Sequence, residues 1–277
     1  MQENLGYYEE FADFLSKNNK NSDFINILKD KRNNITTTKV KIKNTKLSKA
    51  FNKEKGIYYS VKCNNFNYYD NTSYKAIINK IIKSLKEIVL DFDLKDDFTT
   101  LVVGLGNSNV LCDSLGVRVC DKLIVPGALQ IKKLFSMVYC FCPSVFAKTG
   151  IATCDLVLAV AEKVKPDFII LIDTLTCKDK SLLGKCFQLN NVGLKPGGLL
   201  GQTKWINKKT MGVPVVSIGV PLVTNFSDIM GQNASKNYYT DKNIDAIVMG
   251  WSYILSVSIN KFLHSKLSID DILFYMS

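Results

Sequence analysis

The six residues "FIILID" (168–173) constrain this chain more than any other stretch. Five apolar residues in succession, with no polar alternation, describe a strand buried on both faces, and such strands occur where helices cover a sheet from each side. Two more runs repeat the pattern, "TTLVVGL" (99–105) and "VPVVSIGV" (213–220), while "SMVYCFC" (136–142) and the shorter "KCFQLN" (185–190) also read as strands. Helical spacing fills the gaps: Ser114–Leu123, Thr153–Val164 stopped by Pro166, and a long final helix over Asn243–Phe262. Strands interleaved with helices predict an α/β, three-layer αβα domain around a largely parallel or mixed sheet. Upstream, "GIYYSVKC" (56–63) is a further strand, and Ser73–Val89 places Ile77, Ile78, Ile81, Ile82, Leu85 and Ile88 on one helix face. A chain of 277 residues holds one such domain.

The N-terminal region is different. An acidic, aromatic start through Asp13 gives way to a polar Asn/Lys stretch and then to "TKVKIKN" (38–44), which alternates like a half-exposed strand. Residues 1–35 are expected to form a weakly packed segment that restrains access to a cleft, and 36–277 the single domain. The start has no basic region followed by an apolar core, and no apolar run is read as reaching the ~20 residues of a membrane span, so a cytoplasmic place is expected.

Eight cysteines contain no C-x-x-C, and the nearest pair, Cys140 and Cys142, lies in a strand-like run where reduced thiols act as small core residues. With a single histidine and no metal-ligand spacing, neither metal nor cofactor is expected. The net charge of +11 favours acidic partners, but the densest basic stretch, "TTTKVKIKNTKLSKAFNKEK" (36–55), has one aromatic among its lysines, and direct nucleic-acid binding is not expected.

The stretch "VVGLGNSNVLCDSLGVRV" (102–119) opens like a nucleotide-binding loop at Gly104 and Gly106, then has Asn109 where a third glycine belongs, and carries Asp113 beyond it. Sites in open α/β sheets gather at the carboxyl ends of strands. Asp113 follows one such end, and Asp173 is read as closing "FIILID". An aspartate there is solvated by a cleft, partnered, or capping backbone, because burying the ion alone is costly. Three readings stand: Asp113 as a helix N-cap, Asp173 as a cap of the turn "DTLT", or the two as a catalytic pair. Histidine-based nucleophilic schemes lack parts, since His264 sits in the final helix and no G-x-S-x-G elbow is present. The run "GLKPGGLLG" (193–201) lacks the Gly-Lys-Ser/Thr ending of a phosphate loop. It is read as a mobile loop bordering the cleft, where Gly197 and Gly198 let a substrate backbone approach while Lys195 and Lys204 offer charge.

Four blocks, "LVVGLGNSNVLCDSLGVRV", "FAKTGIATCDLVLAVAEKVKPDFIILIDTL", "NVGLKPGGLLG" and "INKKTMGVPVVSIGVPLVT", resemble in order and spacing the spore germination protease family, over about residues 36–265. The resemblance implies a phosphorylase/hydrolase-like fold and an atypical aspartic endopeptidase that degrades small acid-soluble spore proteins in the spore core. Asp113 and Asp173 match its two essential aspartates. Gly104, Gly106 and Asn107 of the first loop, with Lys195, Gly197 and Gly198, are expected at the substrate. A zymogen that sheds a short N-terminal segment and a homo-oligomer, a tetramer, are implied as well. Cys112 and Val117 stand where the family has proline, "TCKDKSLLGK" replaces an arginine-bearing stretch, "PGGLLGQ" replaces "PGSGVGN", and no Thr-Asp-Leu-Ala-like processing site precedes Thr36. Two alternatives stay open: a metal-dependent endopeptidase of the hydrogenase-maturation type, with His264 beside the two acids, and a catalytically degenerate sporulation binding protein.

Overall fold

The computed structural model describes residues 25–30, 34–63, 66, 74–94, 97–127, 134–196, 204–225 and 238–277. Its strands are β1 (Ile25–Asp30), β2 (Ile35–Ile42), β3 (Gly56–Cys63), β4 (Thr99–Gly104), β5 (Met137–Phe141), β6 (Phe168–Cys177), β7 (Cys186–Asn190), β8 (Val215–Asn225) and β9 (Tyr238–Tyr239). The helices are α1 (Thr45–Phe51), α2 (Tyr74–Val89), α3 (Leu115–Cys120), α4 (Phe146–Thr149), α5 (Thr153–Val164), α6 (Lys208–Met211), α7 (Ile244–Leu263) and α8 (Ile269–Met276). All strands join one mixed sheet in the order β1-β2-β3-β7-β8-β6-β4-β5, with β9 added to β8. The β8-β6-β4-β5 part is parallel and the rest antiparallel.

Alternating residues of the central strands feed two cores. Val102, Ile170, Ile172, Val216 and Ile218 pack under α2, α3 and α7 around the buried Trp251. Leu101, Val103, Ile169, Leu171 and Val215 face the other way, against Cys154 and Val157 of α5 and Met211 of α6. That is the three-layer arrangement the apolar strands predict. Asp173 has the same parity as Ile169 and Leu171, so it faces the α5 side.

Several expectations are corrected. β6 does not end at Asp173 but runs on to Cys177, because β8 stays paired with it through Cys177 and Thr224, with an irregularity at Leu175/Thr176. β2 is more buried than half-exposed: Thr38, Val40 and Ile42 are covered, the latter two packing with Phe51 of α1 and Tyr58. Within the expected loose segment 1–35, residues 25–30 pair along their whole length with β2 as an edge strand, while 1–24 lie outside the described residues. A span-length apolar helix does exist, α7, and 78% of its most apolar window is buried inside the fold, as befits a core helix. α3 ends at Cys120, short of Leu123, and the chain beyond it is fastened to α7 instead. Asn260 donates to Lys122 O (3.0 Å) and accepts from Ile124 N (2.9 Å). One turn later, His264 meets Ile124 O (3.0 Å) and accepts from Ser136 N (3.2 Å).

Two glycines set the depth of α3. A Cβ on Gly116 would lie 2.5 Å from both Ile172 O and Leu105 O, and one on Gly104 would lie 2.4 Å from Gly116 O. Without side chains there, α3 rests directly on β4 and β6. From β4 the chain leaves towards β5, and from β6 it leaves towards β7 and β8, so the strand order reverses between β4 and β6. A crevice opens at such a point, beyond the carboxyl ends of the strands.

Candidate active site

The loop after β4 is wound tightly around Asp113. Gly106 has φ +110°, and a Cβ on it would stand 2.0 Å from Asp113 O, so only glycine fits this turn. Asn107 N donates both to Asp113 O (3.0 Å) and to Asp113 Oδ2 (2.9 Å), and Asp113 N closes back on Val110 O (2.8 Å). The turn Leu111–Asp113 therefore aims the carboxylate from a pinned backbone. Leu105 N donates to Ile172 O (2.8 Å), which ties the loop's root to β6 just before Asp173. Asp113 is not the N-cap of α3; Ser114 holds that position, and its hydroxyl donates to Leu111 O (2.8 Å) rather than capping. Burial raises the Asp113 carboxyl above its ordinary range, opposed by the Asn107 amide.

Asp173 sits inside β6 at 6% exposure. Its Oδ1 accepts from Thr174 N (2.8 Å), so it caps no turn. Its carboxyl is pushed up to about 8, first by burial and then by the negative charge of Asp113. Asp113 is thus near enough for its charge to act on the ionisation of Asp173, one acid delivered by a glycine loop and the other by a strand. Beside Asp173 in the sheet is Gly219, where a Cβ would meet Asp173 O and Leu175 Cγ at 2.7 Å. Gly219 is part of the lining of a cavity of about 50 Å³, together with Asp173, Gln188, Asn190, Ser217, Lys195 and Trp205. Since one water needs roughly 10–15 Å³ on this measure, several fit.

The germination protease family profile matches residues 7–235. The germination protease of Clostridium tetani is 31% identical over 88% of this chain and 89% of its own length. Those of Clostridium perfringens (strain SM101 / Type A) and Priestia megaterium are each 32% identical, over 70% and 64% of this chain, and the alignments span 61% and 50% of those relatives. This chain belongs to the germination protease family. Among solved structures it is similar to the NiFe hydrogenase maturation protease HycI from Thermococcus kodakarensis KOD1, 17% identical over 63% of this chain and 98% of that one (TM-score 0.37). A second is the hydrogenase maturating endopeptidase HybD from E. coli, 13% identical over 59% and 93% (TM-score 0.32).

The remaining expected site residues separate into groups. Gly104 is packed against Gly116 and Cys120 on the α3 side, so it seats the helix rather than touching the cavity. Gly106 and Asn107 act on Asp113 through the backbone, and the Asn107 side chain is occupied by Asn109 N (3.0 Å). Lys195 lines the cavity and stands over the Trp205 ring at 5.5 Å, while the bridge between Leu194 and Ile206 closes the base of its loop. Gly197, Gly198 and Gly201 lie outside the described residues. Lys204 is paired with Asp155 of α5 (2.8 Å). His264 is buried with both ring nitrogens on backbone groups, and burial lowers its pKa, so it is a neutral fastener of the 122–136 segment rather than a ligand beside the acids. The Cys140 and Cys142 thiols are both free and touch the Cys120 thiol; Cys140 packs against the core on the α7 side as expected, while Cys142 is exposed. Sequence reasoning missed Gln188, Asn190 and Ser217. Their signal was present: polar residues recurring at every second position of strands that are otherwise apolar.

Proposed function

We propose that this chain is an endopeptidase that degrades small acid-soluble spore proteins in the spore core during germination, with Asp113 and Asp173 activating water. Membership of the germination protease family supports the reaction class. The observation that carries the mechanism is the split between the two acids at the strand-order reversal. Asp173, pushed up to about 8, keeps its proton at neutral pH, while the less buried Asp113, held by the Asn107 amide, is ionised.

Asp113 takes a proton from a water held between the two acids as the water oxygen attacks the scissile carbonyl carbon. Asp173 gives its proton to the carbonyl oxygen, so the intermediate is a neutral diol and the negative charge passes from Asp113 to Asp173. On collapse, Asp113 passes its proton to the leaving nitrogen, Asp173 recovers one from the diol, and both acids return to their starting states. The +11 net charge suits an acidic substrate. The implied homo-oligomer and the removable N-terminal segment belong to the same reading.

The test is incubation of the purified chain with a small acid-soluble spore protein, with and without chelator, followed by mass analysis of the fragments. Asp113→Asn and Asp173→Asn should each abolish cleavage with the fold intact. Either variant retaining more than about a tenth of the activity, roughly 1.4 kcal/mol of barrier, overturns the pair. Loss of cleavage in chelator would assign the two acids to a metal instead.

A further inference from the structure

Asp173 lies in a strand in the interior of the sheet, and Asp113 lies in the loop after the neighbouring β4. β4, β6 and β8 are each paired on both sides, so their backbone groups are engaged and a peptide cannot add there as an extra strand. A substrate backbone at this place must be held by side chains. The register supplies a row of them: Thr38 pairs with Ser60, Ser60 with Gln188, Gln188 with Gly219, and Gly219 with Asp173. Asp173 and Gln188 are two strands apart, roughly 10 Å between Cα atoms, with Gly219 between them in the register.

The polar groups of this face are not equally free. Asn190 Oδ1 already accepts from Val192 N (3.0 Å) and from Ser217 Oγ (2.8 Å), which uses both residues. Among the described residues, Gln188 Oε1 and Ser60 Oγ have no hydrogen-bond partner, although Gln188 is 5% and Ser60 4% exposed. Native proteins rarely leave such atoms unpaired unless a ligand or water completes them. Gln188 lines the cavity beside Asp173, and a second cavity of about 10 Å³, room for about one water, lies between Gln188 and Ser60.

We propose that Gln188 clamps the substrate backbone: its carboxamide accepts from the N–H and donates to the C=O of one extended substrate residue next to the scissile bond. In an extended chain the N–H and C=O of one residue point the same way, so a single carboxamide meets both. In a helix those groups are already bonded along the axis. The clamp therefore selects an extended or unfolded segment over a helical one, largely without regard to its side chains. Ser60, through the small cavity behind Gln188, orients the carboxamide. The inference rests on the aspartate pair as the reacting centre.

The test uses the full chain carrying Asp173→Asn and a decapeptide spanning the scissile bond located by fragment analysis. Analogues replace one backbone N–H at a time by an ester oxygen at the four positions flanking that bond. One analogue should bind about tenfold more weakly than the peptide. In the Asp173→Asn/Gln188→Met chain that penalty should fall below twofold, and Asp173→Asn/Ser60→Ala should show an intermediate penalty. In the otherwise unaltered enzyme, Gln188→Met should raise KM about tenfold with kcat nearly unchanged. Equal ester penalties with and without Gln188 at every position, or no binding of the decapeptide, overturn the clamp. A structural role for Gln188 would change the melting temperature and leave those penalties alone. Cleavage of the decapeptide by Asp173→Asn would count against the aspartate pair instead, and it is seen directly as product.

Discussion

Asp173→Asn is expected to make the protein more stable while making it inactive. A carboxyl that titrates near 8 in the fold and near 3.9 in the unfolded chain keeps its proton in the native state where the unfolded state has released it. The native state then binds more protons throughout the interval from 3.9 to 8, so stability falls as pH rises across it and levels off above. At pH 7 the accumulated cost is about 4 kcal/mol, worked as three pH units at ~1.4 kcal/mol each. Asparagine carries no such cost, and its Oδ1 can keep the bond from Thr174 N. For a chain of this size ~1 kcal/mol moves the melting temperature by ~2–4 °C, which sets a ceiling of roughly 8–16 °C on the gain at pH 7. Calorimetric melts of wild type and variant between pH 4 and 9 provide the assay. The two should coincide near pH 4, separate progressively to pH 8 and stay apart beyond it. A gap that does not change with pH, or a variant that melts first, refutes the assignment of a raised pKa to Asp173.

Three further outcomes are expected. Cleavage rates should decline as pH rises through about 8, where Asp173 loses its proton, and decline again at acid pH as Asp113, itself raised by burial, becomes protonated; a profile flat to pH 10 would remove Asp173 as the acid. Gly116→Ala puts a methyl group against backbone atoms of Ile172 and Leu105, none of which can move freely, and should cost about 3 kcal/mol or more in denaturant unfolding, with activity lost as α3 lifts. His264 is neutral in the fold because burial lowers its pKa, so stability should fall as pH drops below 6.5, the unfolded value, and continue falling through the folded one. In His264→Asn melts this acid limb should flatten; an unchanged limb would place the acid sensitivity elsewhere.

Both aspartates were legible because each interrupts an apolar pattern where chemistry is positioned, one after a glycine turn and one in a strand. That Asp173 lies inside its strand was not, since the length of β6 is decided by β8, more than forty residues later in the chain, and not by local composition. α7 hid its apolar character behind Ser252, Ser256 and Ser258. Each of those hydroxyls donates to a backbone carbonyl three or four residues back, at 2.9, 3.0 and 2.6 Å, so the helix buries them with their polarity already satisfied. β1 was missed for the opposite reason. An edge strand is selected by the free side of its neighbour, and nothing within "INILKD" announces β2. The closeness of Gly116 to β6 likewise had no local signature, because it depends on which strand α3 is laid upon.

The antiparallel pairing of β3 with β7 has a consequence for how the chain is made. These strands join the two halves of the sheet, yet about 120 residues of chain separate Cys63 from Cys186, so at ~5–20 residues per second a ribosome takes on the order of 6–25 s to deliver the second after the first. For that time β3 presents an open edge rich in Tyr, Val and Ile to the crowded cell. Lys62, near the end of "GIYYSVKC", is the one charge along that edge, placed to discourage pairing with the wrong neighbour while the right one is still being synthesised.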